Sequence, residues 1–306
     1  MKIFMTGSDG FIGSHLMSTL QEHEIQTLSH DLREHKKVEE QIKNFQPDIV
    51  VHLAARTEVE QSFYEQLPFS EINYVGTINL IESCHRHCPN LKNFIFASTM
   101  EVYGWQPISD EIKENGFTDN HVAFDENTQP NPNAPYAVAK YGCEKYLQYA
   151  HRSYNFPFTA LRQTNTYGRK QNDFFVTETI IHQMLKNKDE INLGYAKPYR
   201  NFLFIEDLLE AWSAVINDEG KNTNGKIYTL GPDNVIQIEK YAEKIAGMIG
   251  WNGNINWDTR PARPGEIFWL NSNHNLITKD IGWKPKTDLD TGLDFTIRYW
   301  KEKNGI

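Results

Sequence analysis

Short apolar runs at Lys2–Thr6, Ile25–Ser29, Asp48–Leu53, Asn93–Ser98 and Phe158–Gln163 alternate with longer stretches whose apolar residues recur every three or four positions. Those stretches lie around Phe11–His23, Lys37–Phe45, Ser70–His87, Pro135–Tyr154 and Phe175–Lys186. The first pattern predicts strands buried on both faces, the second predicts amphipathic helices, and their alternation predicts a parallel sheet with helices on both sides. Further on, order thins. Short strands are predicted near Ile191–Leu193, Asn201–Phe204 and Lys226–Leu230, with helices at Ile205–Ile216 and Glu239–Gly250. From Trp251 the chain is rich in Trp, Pro and Asn and reads as a smaller, loop-rich lobe. Between Trp105 and Asn133 a long polar connection separates a strand from a helix, and connections of that length are usually functional or disordered. No internal repeat or low-complexity tract interrupts the pattern.

The first strand runs straight into Gly7, Gly10 and Gly13, and the residues after them read as a helix. A glycine-rich turn opening a helix leaves unpaired backbone N–H groups at the positive end of the helix dipole, and a pyrophosphate fits there. Asp31 follows at the distance where a ribose-binding carboxylate belongs. A tight turn without a ligand is the plainer reading. The strand–turn–helix context together with Asp31 favours a bound dinucleotide.

Composition narrows the partners. A chain of 306 residues holds one large α/β domain or two lobes sharing a core, and a formal net charge of −9 argues against nucleic acid and anionic membrane surfaces. No apolar run is long enough to span a bilayer, and the N-terminus reads as a strand rather than a secretion signal. Three cysteines, Cys84, Cys88 and Cys143, make no disulfide framework, so a cytoplasmic location is expected. Cys84-His85-Arg86-His87-Cys88 is one cluster without a second ligand pair, and no metal site is expected.

Tyr136 and Lys140, at i and i+4, lie on the same helix face. A nearby ammonium favours the phenolate, so Tyr136 is a candidate general base. Ser98-Thr99 ends a strand at the sheet edge where ligands bind in open α/β folds.

Taken together, the chain resembles the extended short-chain dehydrogenase/reductase family, the nucleotide-sugar epimerases and dehydratases. The resemblance rests on Thr6-Gly7…Gly13-Ser14-His15-Leu16, His52-Leu53-Ala54-Ala55, Asn73-Tyr74-Val75-Gly76-Thr77, and Ser98-Thr99-Met100-Glu101-Val102-Tyr103-Gly104. It continues through the Tyr136/Lys140 pair, Leu161–Gly168, Arg200-Asn201-Phe202, Arg263-Pro264-Gly265-Glu266 and Gly282-Trp283-Lys284-Pro285.

The resemblance implies an α/β fold, a Rossmann-type doubly wound parallel sheet with a smaller C-terminal substrate-binding lobe. The cofactor-binding domain is expected over residues 1–167 plus about 201–232, and the nucleotide-sugar lobe over 168–200 and 233–306. NAD is the implied cofactor, held by Gly7, Gly10, Phe11, Ile12, Gly13, Asp31, Leu53, Ala54, Ala55, Tyr136 and Lys140. By the same resemblance, Tyr136 takes the proton of a sugar hydroxyl at C4 and Lys140 holds the nicotinamide ribose and lowers the phenol pKa. Thr99 bonds the reacting hydroxyl. Asn165, Arg200 and Arg263 contact the substrate diphosphate, a task suited to the planar fork of arginine. The partner is a nucleoside-diphosphate sugar, and the chain is expected to form a homodimer through its two long helices.

The reaction stays open among 4-epimerase, 4,6-dehydratase, 4-keto-sugar reductase and sugar-acid decarboxylase, with a catalytically silent sensor as the remote case. Glu101 stands where similar dehydratases carry a catalytic Glu, or it is held structurally by backbone N–H groups. Met100 stands where many carry an acid, which a thioether does not replace. Phe175-Val176-Thr177 resembles enzymes of GDP-mannose derivatives, so guanine stays open beside uracil and thymine. Two departures from the family pattern stand out. The segment from Ile25 to Asp48 is short, so the usual third strand is expected to be collapsed into the second, and Arg33 near Asp31 keeps NADP open. The connection before Tyr136 carries Asp110, Glu111, Glu114, Asp119, Asp125 and Glu126, and is expected to be an exposed flap over the sugar, with His121 in it lacking an evident partner.

Overall fold

The computed structural model describes residues 1–116, 123–170 and 174–306, so Asp119 and His121 of the expected flap lie outside the described residues. Six strands build one parallel sheet: β1 (Lys2–Thr6), β2 (Glu24–Thr27), β3 (Ile49–His52), β4 (Asn93–Thr99), β5 (Phe158–Gln163) and β6 (Lys226–Leu230). Their order is β6-β5-β4-β3-β1-β2. Alternate residues feed two cores. Ile3, Met5, Ile49, Val51, Ile95 and Leu161 face one side, and Phe4, Val50, Phe94, Phe96, Phe158 and Ala160 face the other.

The helices that concern the site are α1 (Phe11–Thr19), α2 (His35–Phe45), α3 (Gly76–His87), α4 (Pro135–Tyr154), α5 (Val176–Lys186) and α6 (Ile205–Asp218). Helices α1 and α6 cover the first face with Leu16, Leu208, Trp212 and Val215. Helices α2, α3 and α4 cover the second with Val38, Ile42, Leu80, Cys84, Cys143 and Leu147. Each fully buried aliphatic side chain is worth about 1.5–3 kcal/mol, so this double covering fixes which way every strand residue points. Strand β1 has β2 on one side and β3 on the other. The chain therefore changes direction between them, and the carboxyl ends of β1 and β3 open a crevice.

Several elements differ from those the sequence predicts. Strand β2 is the sheet edge and pairs with β1 alone, with no further strand between it and α2. The helix before β4 starts early: Gln66–Ser70 passes through a π turn, Glu71–Val75, into α3. Asn165–Tyr167 forms an unforeseen strand beside Phe202–Phe204. The C-terminal lobe is less loop-rich than its composition suggests, because Asn275–Ile281 and Leu289–Lys303 are helices. The second is capped by Asp288, whose carboxylate accepts from the Thr291 N–H at 2.8 Å.

The described parts of the connection before α4 are tied down onto the rest of the fold. Pro107–Asn115 is a helix, and Ile112 and Phe124 join a satellite core with Met100, Tyr103, Ile267 and Trp269. Asp110, Glu111 and Glu114 face water, as like charges should. Glu126 instead accepts from the Thr229 N–H at 2.7 Å and its hydroxyl at 2.9 Å, closing the open edge of β6. The acidic composition hid two different jobs, solvation and edge protection.

Candidate active site

The turn between β1 and α1 is too tight for any residue but glycine at two positions. Gly7 has φ +72°, and a Cβ there would meet the Ala54 nitrogen at 2.7 Å. A Cβ on Gly13 would stand 2.1 Å from the Gly7 carbonyl oxygen. No side chain caps α1 and no acid lies in its first turn, so its leading N–H groups remain free for an anion. This open, uncapped cradle fits a pyrophosphate, and Phe11 and Ile12 stand half-buried at its mouth.

Behind the turn, a buried chain of hydrogen bonds fixes its distance from β3. The Thr77 hydroxyl donates to the Asn73 carbonyl at 2.7 Å, so its oxygen accepts from His52 Nε2 at 2.8 Å. His52 Nδ1 then accepts from the Thr6 hydroxyl at 2.7 Å, whose oxygen accepts the Ala54 N–H at 3.1 Å. Each donor meets one acceptor, which assigns the tautomer. Burial, then the charge of Lys140, pushes His52 down to about 3, so the ring is neutral. Leu53 is bonded to the Thr6 carbonyl at 3.2 Å, and Ala54 and Ala55 continue half-buried along the crevice. Thr6 and Thr77 are not evident as site residues in the sequence, since isolated hydroxyls carry no periodic signal.

The structure brings Thr99, Tyr136 and Lys140 together. Thr99 ends β4 and caps the short 3-10 helix Met100–Tyr103, its hydroxyl accepting the Glu101 N–H at 3.2 Å. Pro135, preset for a first helical turn, starts α4 and places Tyr136 beside Thr99. Lys140, one turn on and 3% exposed, donates to the Ala97 carbonyl at 2.7 Å and lies 4.7 Å over the Phe96 ring. Burial pushes its pKa down to about 8.

The expectation that Lys140 lowers the Tyr136 phenol is not met in this structure. Burial and the Glu101 charge raise it above the ordinary tyrosine value, and only the Thr99 hydrogen bond opposes them. The ammonium is turned to Ala97 rather than to the phenol.

Glu101 is not held by backbone N–H groups. Its carboxylate takes no hydrogen bond or ion pair among the described residues, and its charge acts on Tyr136, Arg200 and Arg263. Met100, 1% exposed, turns away into the satellite core and accepts the Ser272 hydroxyl at its sulfur at 2.8 Å. Adjacent residues of this helix thus face opposite environments.

Behind Tyr136 and Lys140 sits a buried ionic clamp that sequence reasoning missed. Glu144 accepts from Arg162 Nε at 2.9 Å, from its Nη2 at 2.7 Å and from the Ser98 hydroxyl at 2.5 Å. Arg162 Nη1 also donates to the Tyr103 hydroxyl at 3.0 Å, which donates to the Asp125 carbonyl at 2.6 Å. One clamp therefore joins α4, the end of β4, β5 and the connection before α4. The signal was present: Glu144 repeats the i+4 spacing of Tyr136 and Lys140, and Arg162 is a lone charge in an apolar strand.

Other expected site residues are engaged by protein partners. Asp31 is gripped by Arg33 through Nε at 2.9 Å and Nη2 at 2.8 Å, which holds its carboxyl down to about 2. Arg200 is buried and donates to Glu266, the Ile267 carbonyl and the Tyr199 carbonyl, and Arg263 forks onto the same Glu266. Asn165 lies half-buried opposite Phe202 in its short strand. Cys84 in α3 and Cys88 at its C-cap are buried free thiols, and no group of metal ligands occurs among the described residues.

Comparison with known proteins agrees with this geometry. Residues 3–231 match the family described as NAD dependent epimerase/dehydratase. Human dTDP-D-glucose 4,6-dehydratase is 27% identical, covering 98% of this chain and 90% of that protein. UDP-glucose 4-epimerase from Thermus thermophilus, solved in complex with NAD, superposes with a TM-score of 0.86 at 24% identity, covering 98% and 99% of the two chains. The Thermotoga maritima UDP-glucose 4-epimerase, solved with UDP-glucose, gives 0.85 at 24% identity, covering 99% and 100%. The two structural likenesses establish the fold. With the uncapped glycine turn and the family match over most of its length, the chain belongs to the NAD dependent epimerase/dehydratase family, and NAD is its cofactor.

Proposed function

We propose that the protein is an enzyme that oxidises the sugar of a nucleoside-diphosphate sugar at C4, giving a 4-keto intermediate. The observation that carries this reading is the convergence of Thr99, Tyr136 and Lys140 at the carboxyl edge of β4, beside the glycine turn. NAD supplies the hydride acceptor and, in its oxidised form, a positive charge that favours the Tyr136 phenolate. Tyr136 takes the proton of the C4 hydroxyl, and Thr99 bonds that hydroxyl and orients it. Lys140, fixed under Tyr136 by Ala97, stands ready to bond the cofactor ribose. Gly7, Gly10, Phe11, Ile12 and Gly13 receive the pyrophosphate, Leu53, Ala54 and Ala55 line its crevice, and Asp31, once released from Arg33, binds the ribose. Asn165, Arg200 and Arg263 face the substrate's nucleoside diphosphate.

The uncommitted carboxylate of Glu101 favours one branch after the ketone forms, 4,6-dehydration. A C4 ketone acidifies the C5 hydrogen, and a free carboxylate beside Tyr136 is placed to remove it. Met100 supplies no acid, so Glu101 also returns the proton to the departing C6 hydroxyl, which leaves as water. The hydride removed from C4 is returned to C6 and a solvent-derived proton to C5, giving the 4-keto-6-deoxy sugar and leaving the cofactor oxidised. The test is to incubate the protein with UDP-, dTDP- and GDP-sugars in D2O without added cofactor and follow products by NMR. A 4-keto-6-deoxy sugar carrying deuterium at C5, lost on Glu101→Gln, is expected. A C4 epimer with protium at C5 assigns the epimerase branch instead. Turnover only with added NADH overturns a recycled cofactor.

A homodimer belongs to the same proposal. Val138 on α4 and Val75 immediately before α3 are exposed apolar residues along the two long helices, and analytical ultracentrifugation tests the pairing. Free thiols suit a reducing cytoplasm, and no helix among the described residues is long and apolar enough to cross a membrane.

A further inference from the structure

The two arginines expected to receive the substrate diphosphate already share one anion. Arg263 donates to Glu266 through Nε at 3.1 Å and Nη2 at 3.2 Å. Arg200 adds a third bond, from Nη2 at 3.1 Å. The carboxylate thus presents two oxygens to two guanidinium groups, the arrangement a phosphate would take. Glu266 is brought there locally. Its N–H donates to the Arg263 carbonyl at 3.1 Å, closing a Pro264-Gly265 turn in which Gly265 has φ +67°. Pro at the second position and a positive-φ glycine at the third are what a type II turn requires, so the segment folds Glu266 back onto Arg263 without help from elsewhere.

The turn also reaches across to the segment that leads into α4. The Gly265 carbonyl accepts from the Asn133 side-chain amide, two residues before the start of Tyr136's helix. The space left between Glu101, Asn133, Ala134, Arg263 and Glu266 is about 10 Å³, room for roughly one water. Arg200 keeps two bonds, to the Tyr199 and Ile267 carbonyls, that do not depend on Glu266. Loss of the carboxylate therefore leaves Arg200 in place with one side of its fork open.

We propose that Glu266 is a built-in stand-in for the substrate's diphosphate, holding Arg200 and Arg263 in the free enzyme and yielding them only to a ligand with anionic oxygens enough to replace it. The inference rests on the nucleotide-sugar reading above and adds a specificity device to it. A nucleoside without phosphate gains nothing from the arginines and leaves the pair closed. A diphosphate replaces the carboxylate oxygen for oxygen and takes over both guanidinium groups.

The experiment uses the full chain saturated with NAD and titrates UDP, dTDP and GDP in turn by calorimetry, with the matching nucleosides as controls. Displacing a charge-assisted pair weakens ligand binding by about ten- to a hundredfold, so Glu266→Gln is expected to tighten the bound diphosphate by at least about tenfold. Nucleoside affinity stays unchanged. Equal or weaker diphosphate binding by Glu266→Gln overturns the proposal, because it would make Glu266 a support that orients the arginines. Glu266→Ala, which also removes the hydrogen-bonding shape, must move affinity in the same direction. If neither variant folds, the side-chain carboxyl carbon of Glu266 in the unmodified protein decides: its resonance shifts when UDP binds, and an unmoved resonance overturns the proposal. If no nucleoside diphosphate binds even the unmodified protein, the substrate reading itself fails.

Discussion

Glu144→Gln is the perturbation that most directly tests how the helix bearing Tyr136 is held. The glutamate side chain is fully buried, and its two oxygens receive the Ser98 hydroxyl and two Arg162 nitrogens, all within 2.9 Å. Glutamine keeps the volume but removes the charge and offers one acceptor oxygen in place of two. Arg162, itself buried, then keeps a full positive charge against one neutral amide oxygen and the Tyr103 hydroxyl. Breaking one side of a buried ion pair costs about 3–5 kcal/mol, a large share of the roughly 5–15 kcal/mol that holds a domain folded. Removing both charges with Glu144→Met and Arg162→Met together is expected to cost less than the sum of the two single changes, since no charge is then left stranded. Urea unfolding of the two single variants and the double, followed by tryptophan fluorescence and far-UV dichroism, measures the cycle. The reasoning is refuted if Glu144→Gln costs under about 1 kcal/mol and the coupling is near zero, which would mean water or another cation screens the site.

Three further outcomes are expected. Tyr136→Phe should lower turnover by about 10²–10⁴-fold, the usual contribution of a positioned acid–base group, while bound NAD, read from the absorbance released on denaturation, is unchanged. Gly13→Ala should weaken NAD binding by roughly ten- to a hundredfold in calorimetry, because its methyl would stand 2.1 Å from the Gly7 oxygen and force the turn apart. His52 binds its proton in the folded state only near pH 3, against 6.5 ordinarily, so the unfolded chain takes up more protons across that window and stability falls as pH drops through it. Between pH 7 and pH 5 the unfolding free energy should fall by about 2 kcal/mol more in the unmodified protein than in His52→Gln, and equal losses would remove His52 as the cause.

Strand and helix placement was legible because burial on both sheet faces writes itself as apolar runs and burial on one helix face writes itself as a three-to-four periodicity. The runs around Phe4, Val50 and Phe94 show the first, and Leu80, Cys84 and Leu147 the second. Misplaced features had no such signature. Two helices beyond Asn275 were hidden by Trp and Asn in the composition, although Trp283 and Trp300 are core residues there. The acidic connection before Tyr136 reads as a uniform solvated loop, yet Glu126 closes the β6 edge while Glu111 and Glu114 face water.

The sequence by itself determined the glycine turn, the order of strands and helices, and the identities of Thr99, Tyr136 and Lys140, because each depends on neighbours within a few residues. Tertiary structure decided what those residues experience. Whether Tyr136 is raised or lowered depends on burial and on Glu101, not on the lysine four residues away. Whether Arg200 and Arg263 stand open depends on Glu266, and Arg200 reaches it from 66 positions earlier in the chain. Local spacing fixes which groups are present. Charge and desolvation act through space, so only the folded chain settles which of them are free to react.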